Sequence, residues 1–297
     1  MAVTPSVVRG ALPEDVVHLV HGLVADAEQS DGVAPLSEQR LLWLGDGDAP
    51  VVHLLTWAPG RLTGVAQVDL GVSGKATVEL AVSPTDRRQG LGRALLDAAR
   101  DQAEDRELAV WAHGDLPAGK ALAQSAGLRP ARELWLMRLD LAARPRVERR
   151  GLPDGVTVRT FEVGRDDEAW LRVNARAFAD HPEQGRITLA DLRARQREPW
   201  FDEADFFLAE RDGELLASLW LKITDGVGEI YVLGVDPSAQ GLGLGTELTA
   251  IGLERFDELG LGVAILYTSA ENLAAVRTYA KFGFSPSNID VTYAENA

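Results

Sequence analysis

The sequence predicts an α/β chain made of two similar domains, and three observations carry that expectation. Its 297 residues are enough for about two domains of ~150 residues each. A glycine-punctuated stretch, QGLGLGTEL at 240–248, has a shorter counterpart, RRQGLGRAL, at 87–95. Each copy follows a run that reads as a β-strand and precedes a run that reads as a helix.

The two copies align without a gap over ATVELAVSPTDRRQGLGRALLDAA (76–99) and EIYVLGVDPSAQGLGLGTELTAIG (229–252). Val82 meets Val235, Pro84 meets Pro237, Arg87 meets Gln240, Gly90 meets Gly243, Gly92 meets Gly245 and Leu95 meets Leu248. Further on, QSAGLRP (124–130) matches AKFGFSP (280–286) with three more residues of separation. Solenoid repeats have periods of about 20–50 residues, so a period this long means duplicated domains. The boundary is expected in DLAARPRVERRGLPDGV (140–156), which is charged, holds prolines and lacks apolar periodicity. That places a first domain at 1–145 and a second at 146–297.

In the second copy GEIYVLGV reads as a strand closed by Pro237, and Leu248, Ile251, Leu253 and Phe256 recur at helical spacing. The equivalent apolar set in the first copy is Leu95, Leu96 and Ala99. Glycines between strand and helix leave backbone N–H groups free beside the positive end of the helix dipole, a place that suits phosphate oxygens. A plain tight turn is the bland reading of one such loop. No Lys-Ser/Thr follows the last glycine, so the loop is no P-loop, and it lacks the context of a dinucleotide fingerprint.

Arg87-Arg88-Gln89-Gly90-Leu91-Gly92 and Gln240-Gly241-Leu242-Gly243-Leu244-Gly245 resemble the acyl-CoA signature of the GNAT N-acetyltransferase superfamily, (Q/R)-x-x-G-x-(G/A). Both follow a V-x-P turn, and ENLAAVRTYAKFGF (271–284) resembles the family's second signature. The resemblance implies two tandem GNAT domains, each a twisted mixed sheet flanked by helices, in which the strand before the loop splays from its neighbour to admit the pantetheine of acetyl-CoA. By the same resemblance the cofactor residues are Leu80, Ala81 and Val82 on the first strand, with Arg87, Arg88, Gln89, Gly90, Leu91, Gly92 and Arg93 at its turn. In the second copy they are Leu233, Gly234 and Val235, then Gln240, Gly241, Leu242, Gly243, Leu244, Gly245 and Thr246, with Asn272 and Arg277 beyond. One acetyl-CoA per domain is expected.

A thioester brings its own electrophile, so an amine can attack it without a protein nucleophile. The site must neutralise the ammonium, hold the developing oxyanion and protonate the departing thiolate. Backbone N–H near Leu233–Val235 suits the oxyanion, Glu229 is the candidate base acting through water, and Tyr279 stands where the family keeps its acid. The residues alone also allow a solvent-facing strand glutamate and a tyrosine packed on the sheet. The gapless alignment sets Ala76 against Glu229 and Ala123 against Tyr279, with Glu79 on the opposite strand face. The first domain is therefore expected to hold cofactor without catalysing transfer.

The segment VNARAFADHPEQG (173–185), taken with the second turn, resembles the mycothiol synthases, a family of tandem acetyltransferases. That family acetylates the cysteinyl amine of a cysteine–glucosamine–inositol conjugate. The resemblance points to Glu38, Glu183, Lys222, Glu229 and Tyr267 as substrate-binding residues. Glu38 also reads as a helix-start residue, Lys222 as a snorkelling strand lysine and Tyr267 as a half-buried strand aromatic. A tandem GNAT acting on another amine, or a non-catalytic acetyl-CoA sensor, are the alternatives.

Composition narrows the partners. A net charge of −15 argues against nucleic acid, and no apolar run approaches the ~18 residues of a membrane span. No signal peptide is evident and there is no cysteine, which suits a reducing cytoplasm and rules out thiol ligands; a monomer is expected. His181 has no second ligand at suitable spacing and there are five scattered histidines, so no metal is expected. With 26 Arg against four Lys, the basic residues reflect genome composition more than function.

Overall fold

The computed structural model describes residues 3–149, 151–179 and 184–295. In chain order the first half contains β1 (Ser6–Arg9), α1 (Glu14–Asp31), α2 (Glu38–Leu42), β2 (Val51–Ala58), β3 (Arg61–Asp69), β4 (Lys75–Val82), α3 (Leu91–Ala103), β5 (Glu107–Ala112), α4 (Pro117–Ser125) and β6 (Arg129–Asp140). The second half contains β7 (Thr157–Thr160), α5 (Asp167–Ala177), α6 (Leu189–Arg195), β8 (Phe206–Arg211), β9 (Glu214–Thr224), β10 (Val227–Val235), α7 (Leu244–Glu258), β11 (Val263–Ser269), α8 (Leu273–Lys281) and β12 (Ser285–Ala294). Among the described residues no helix is long and apolar enough to cross a membrane.

The chain forms two compact units. One takes the residues up to Leu134 together with those from Ile289 onward, and the other runs from Trp135 to Asn288. The repeat alone suggests a limit near residue 145, and side-chain alternation explains the difference. Met137 and Leu139 on β6, followed by Leu141, insert into the core of the second unit, whereas Val291 and Tyr293 on β12 insert into that of the first. Val291 to Ala294 register antiparallel against Ala112 to Ala109 of β5. The first unit thus recruits its sixth strand from about 150 residues downstream.

Each unit is a mixed sheet with helices on both faces. In the first, β1, β2, β3 and β4 pair antiparallel, β4 and β5 pair parallel, and β12 follows β5. In the second, β7, β8, β9 and β10 pair antiparallel, β10 and β11 pair parallel, and β6 follows β11. The repeated apolar sets are the cores: Leu95, Leu96 and Ala99 of α3 are each 0% exposed, and Leu248 and Phe256 of α7 match them. Ile251 is only partly buried against the same cluster. A fully buried leucine contributes about 1.5–3 kcal/mol, so these sets dominate the packing of helix on sheet. The contact is close enough at Gly228 that a Cβ there would stand 2.6 Å from the Phe256 ring.

β10 departs from its counterpart β4 at one residue. The β3–β4 register is continuous, pairing Asp69 with Thr77 and Gly64 with Val82. The β9–β10 register shifts between Ile230 and Val232, so Tyr231 is an extra residue in a bulge. Gly228 and Ile230 before the bulge, and Leu233 and Val235 after it, all pack on the α7 side. Tyr231 and Val232 both turn to the α5 side.

Candidate active site

Both glycine turns adopt the same backbone. Arg88 and Gly90 have φ of 63° and 84°, and Gly241 and Gly243 have φ of 81° and 85°. Gly90 and Gly243 are the N-cap residues of α3 and α7, and no side chain caps either helix. A Cβ on either glycine would meet nothing within 4 Å, so the requirement is conformational and leaves room for close approach of a ligand. Uncapped N–H groups at the start of helices 13 and 15 residues long form a place for an anion.

The strand before each turn opens. Parallel pairing of β4 with β5 runs from Lys75–Glu107 to Val78–Val110 and stops, although β4 stays paired to β3 through Val82. β10 and β11 pair from Val227–Val263 to Ile230–Leu266, and the pairing ends where the bulge begins. Leu80, Ala81 and Val82, like Leu233, Gly234 and Val235, therefore lie on strand edges whose outer side has no strand partner among the described residues. A strand-like pantetheine with its own amides fits such an edge, so the residues present suit acetyl-CoA in both units.

Several expected cofactor residues have protein partners. Arg87 donates to both carboxylate oxygens of Asp31 at 2.8 and 2.7 Å and to the Val82 carbonyl at 3.2 Å. Arg93 donates to Asp97 and to the Ser125 carbonyl, and Asn272 caps α8 by accepting from Ala275 N at 3.1 Å. Arg277 is exposed on α8. For Gln89, Leu91, Gly92, Leu242, Leu244, Gly245 and Thr246 the turns and first helical residues are as expected.

The bulge corrects the alignment of the catalytic candidates. Gly228 and Ile230 occupy the positions of Ala76 and Val78, since Ala264 and Leu266 face them as Leu108 and Val110 face the earlier pair. Glu229 is therefore the counterpart of Thr77, and it shares its sheet face with the position of Glu79. A gapless alignment hides this because the extra residue, Tyr231, is absorbed in the strand. The match of Ala123 to Tyr279 holds, and α4 and α8 are equal in length. Ala123 and Tyr279 are both buried, at 3% and 7% exposure. Tyr279 packs edge-on to Phe284, and burial pushes its phenol above the ordinary range.

In the second unit Lys222 on β9 lies directly across from Glu229 on β10. Alternation sets both on the face opposite α7, and Tyr267 of β11, 47% exposed, shares it with Ile265, the parallel neighbour of Glu229. The sheet thus brings Lys222, Glu229 and Tyr267 to one face. Glu183 and the neighbouring His181 and Pro182 lie outside the described residues. Glu38 opens α2 after Ser37 in the first unit.

Sequence reasoning missed two constellations. The first surrounds Lys222, whose Nζ stands 4.8 Å from the Trp200 ring centroid and 5.4 Å from that of Tyr231. The second is a buried charge network in the first unit. Glu79 accepts from Ser37 N at 2.6 Å, Ser37 Oγ at 2.9 Å and Arg40 Nε at 3.3 Å, and His113 Nε2 lies 3.4 Å from it. Arg40 also donates to Thr77 Oγ1 at 2.8 Å. His113 Nδ1 is 3.0 Å from Asp290, which accepts from Gly114 N at 2.7 Å. The position matching Glu229 is therefore covered, in the first unit, by Arg40.

Comparison with known proteins agrees with this geometry. The acetyltransferase (GNAT) family profile matches residues 20–127 and 170–284. Mycothiol acetyltransferase of Cellulomonas flavigena is 53% identical over 304 residues, covering 96% of this chain and 87% of that one. The protein of the same name from Thermomonospora curvata is 51% identical, covering 95% and 94%. Among solved structures, a tandem GNAT protein from the clavulanic acid biosynthesis pathway aligns with a TM-score of 0.71 at 21% identity, covering 98% of each chain. A GCN5-related N-acetyltransferase from Sphaerobacter thermophilus aligns at 0.68 and 23%, covering 97% of this chain and 95% of that one. These two likenesses speak for the fold alone. With two profile matches, one on each splayed strand and glycine turn, the chain belongs to the acetyltransferase (GNAT) family as a tandem member.

Proposed function

We propose that the chain is an acetyl-CoA-dependent N-acetyltransferase that acetylates the cysteinyl amine of a cysteine–glucosamine–inositol conjugate to give mycothiol, with the chemistry in the second unit. The observation that carries this reading is the similarity along nearly the whole chain to relatives named mycothiol acetyltransferase. Acetyl-CoA supplies the thioester. Backbone groups at Leu233–Val235 and the Gly241–Gly245 turn hold it, and Glu229 takes the amine proton through water. The amine nitrogen bonds to the acetyl carbon as the carbon–sulfur bond breaks, and Tyr279 gives its proton to the leaving sulfur. Lys222, Tyr267 and Glu183 bind the acceptor, with Glu38 assigned to it from the resemblance. A monomer in the cytoplasm, with neither metal, nucleic acid nor membrane as partner, completes the reading. Mass spectrometry of the conjugate after incubation with enzyme and acetyl-CoA tests it: one acetyl group on the amine is expected, and an unmodified conjugate would overturn the assignment.

The first unit, on this reading, binds acetyl-CoA without transferring it. Glu79 is buried and held by four groups, Ala123 replaces the acid, and both leave the turn intact. Calorimetry on the intact chain, freed of copurified cofactor, is expected to give two sites. Gly90→Glu and Gly243→Glu should each remove one, because a side chain there occupies the path of the pyrophosphate. Unchanged stoichiometry in both variants would refute a cradle in each unit.

A further inference from the structure

We infer that Trp200 and Tyr231 are positioning residues for the acetyl acceptor, a two-ring platform that fixes the Lys222 ammonium beside Glu229. The inference rests on the catalytic reading of the second unit and names residues that reading does not use. Lysine carries a long flexible side chain, and both ring centroids lie within the ~6 Å at which a cation is attracted to an aromatic face. The platform itself is rigid. Trp200 and Tyr231 meet at 5.1 Å and 61°, and both pack on Trp220, at 5.6 and 5.3 Å. Trp220 is fully buried and stacked on Phe206 at 4.6 Å. Arg195 Nε donates to the Tyr231 hydroxyl at 2.6 Å, which fixes the second ring from its far end.

The bulge is what makes this possible. An unbroken strand would offer one residue to this face where Tyr231 and Val232 now both turn to it. Among the described residues, the charged and titratable groups on the face of Lys222 include Glu229 and Tyr231 from β10, Tyr267 from β11 and, behind the Tyr231 ring, Arg195 from α6. A fixed ammonium opposite Glu229 favours the ionised carboxylate and disfavours a second ammonium nearby. The acceptor amine is thereby favoured as the neutral nucleophile.

Trp200→Leu removes the π face, and Trp200→Phe keeps one. The expected result for Trp200→Leu is a rise in acceptor KM of about tenfold, an unchanged acetyl-CoA KM and an acid limb of the kcat profile moved to higher pH. Trp200→Phe should restore most of each, and in a Lys222→Met background Trp200→Leu should add little. A second readout does not depend on turnover. Reductive methylation with 13C-formaldehyde labels the four lysines along with the terminal α-amine, and ring currents should displace the Lys222 dimethyl signal upfield of the other three lysine signals in the wild type, not in Trp200→Leu. An undisplaced signal overturns the platform, as does a Trp200→Leu defect that Phe does not relieve or that persists in full without Lys222. Failure of the wild type to acetylate the cysteinyl amine is a separate result, against the catalytic reading, and the methyl signal still decides the platform.

Discussion

Glu229→Gln is expected to lower kcat by ~10²–10⁴-fold while acetyl-CoA affinity is kept, and the loss should shrink as pH rises. The direction follows from the amine. Attack needs the free base, and at high pH solution supplies what the carboxylate otherwise provides. Tyr279→Phe should cut kcat by a similar factor without alkaline relief, since its proton goes to the leaving sulfur. Burial already holds the Tyr279 phenol above its ordinary value, so it keeps that proton through the neutral range. Ala123→Ser, at the matching position of the first unit, should leave turnover close to wild type. Steady-state kinetics from acid to alkaline pH separates the two roles. If Gly90→Glu stops turnover in a folded protein while Glu229→Gln and Tyr279→Phe stay near the wild-type rate, the chemistry belongs to the first unit.

Glu79→Ala is expected to destabilise the first unit by about 3–5 kcal/mol, because it leaves Arg40 buried and charged without its carboxylate and His113 with Asp290 alone. The pH dependence is equally specific. Burial alone would lower the His113 pKa, but the hydrogen bonds and charges of Asp290 and Glu79 outweigh it and raise it from 6.5 to about 10. Burial would raise Glu79, yet the neighbouring His113 and the charge of Arg40 hold it down at about 2, from 4.5. A raised histidine contributes fully below pH 6.5 and loses its contribution as pH climbs through 10. A lowered glutamate contributes fully above pH 4.5 and loses it as pH falls through 2. The network is at full strength between those two limits. Calorimetric melts of wild type and His113→Asn should therefore differ most near pH 6 and converge towards pH 10. A gap of constant size over that range would mean that His113 is not held charged.

The glycine turns were legible because sequence and backbone coincide there: Gly90 and Gly243 need positive φ, and each lies between a strand and a helix of the expected kind. The apolar sets on α3 and α7 were legible for the same reason, since periodicity is local. The bulge at Tyr231 was not. One extra residue inside a strand leaves the flanking motifs in step, and the alignment then set Glu229 against Ala76 where the register sets it against Thr77. Trp200 and Arg195 were invisible for another reason, because they come from loop and helix positions that only the folded sheet brings to Lys222 and Tyr231 respectively. The domain limit near 145 separates the repeats, but pairing partners are chosen over long distances, and β12 sits with β5.

That pairing sets a timetable for the newborn chain. Domains usually fold in order as they leave the ribosome, at about 5–20 residues per second. Here β5 waits for residues 291–294, so the first unit stays open-edged for on the order of ten seconds after its own strands have emerged. Residues 135–288 are all available sooner. The half that is translated first is thus the half that closes last, and through that interval its bare β5 edge is the stretch most in need of a chaperone's cover.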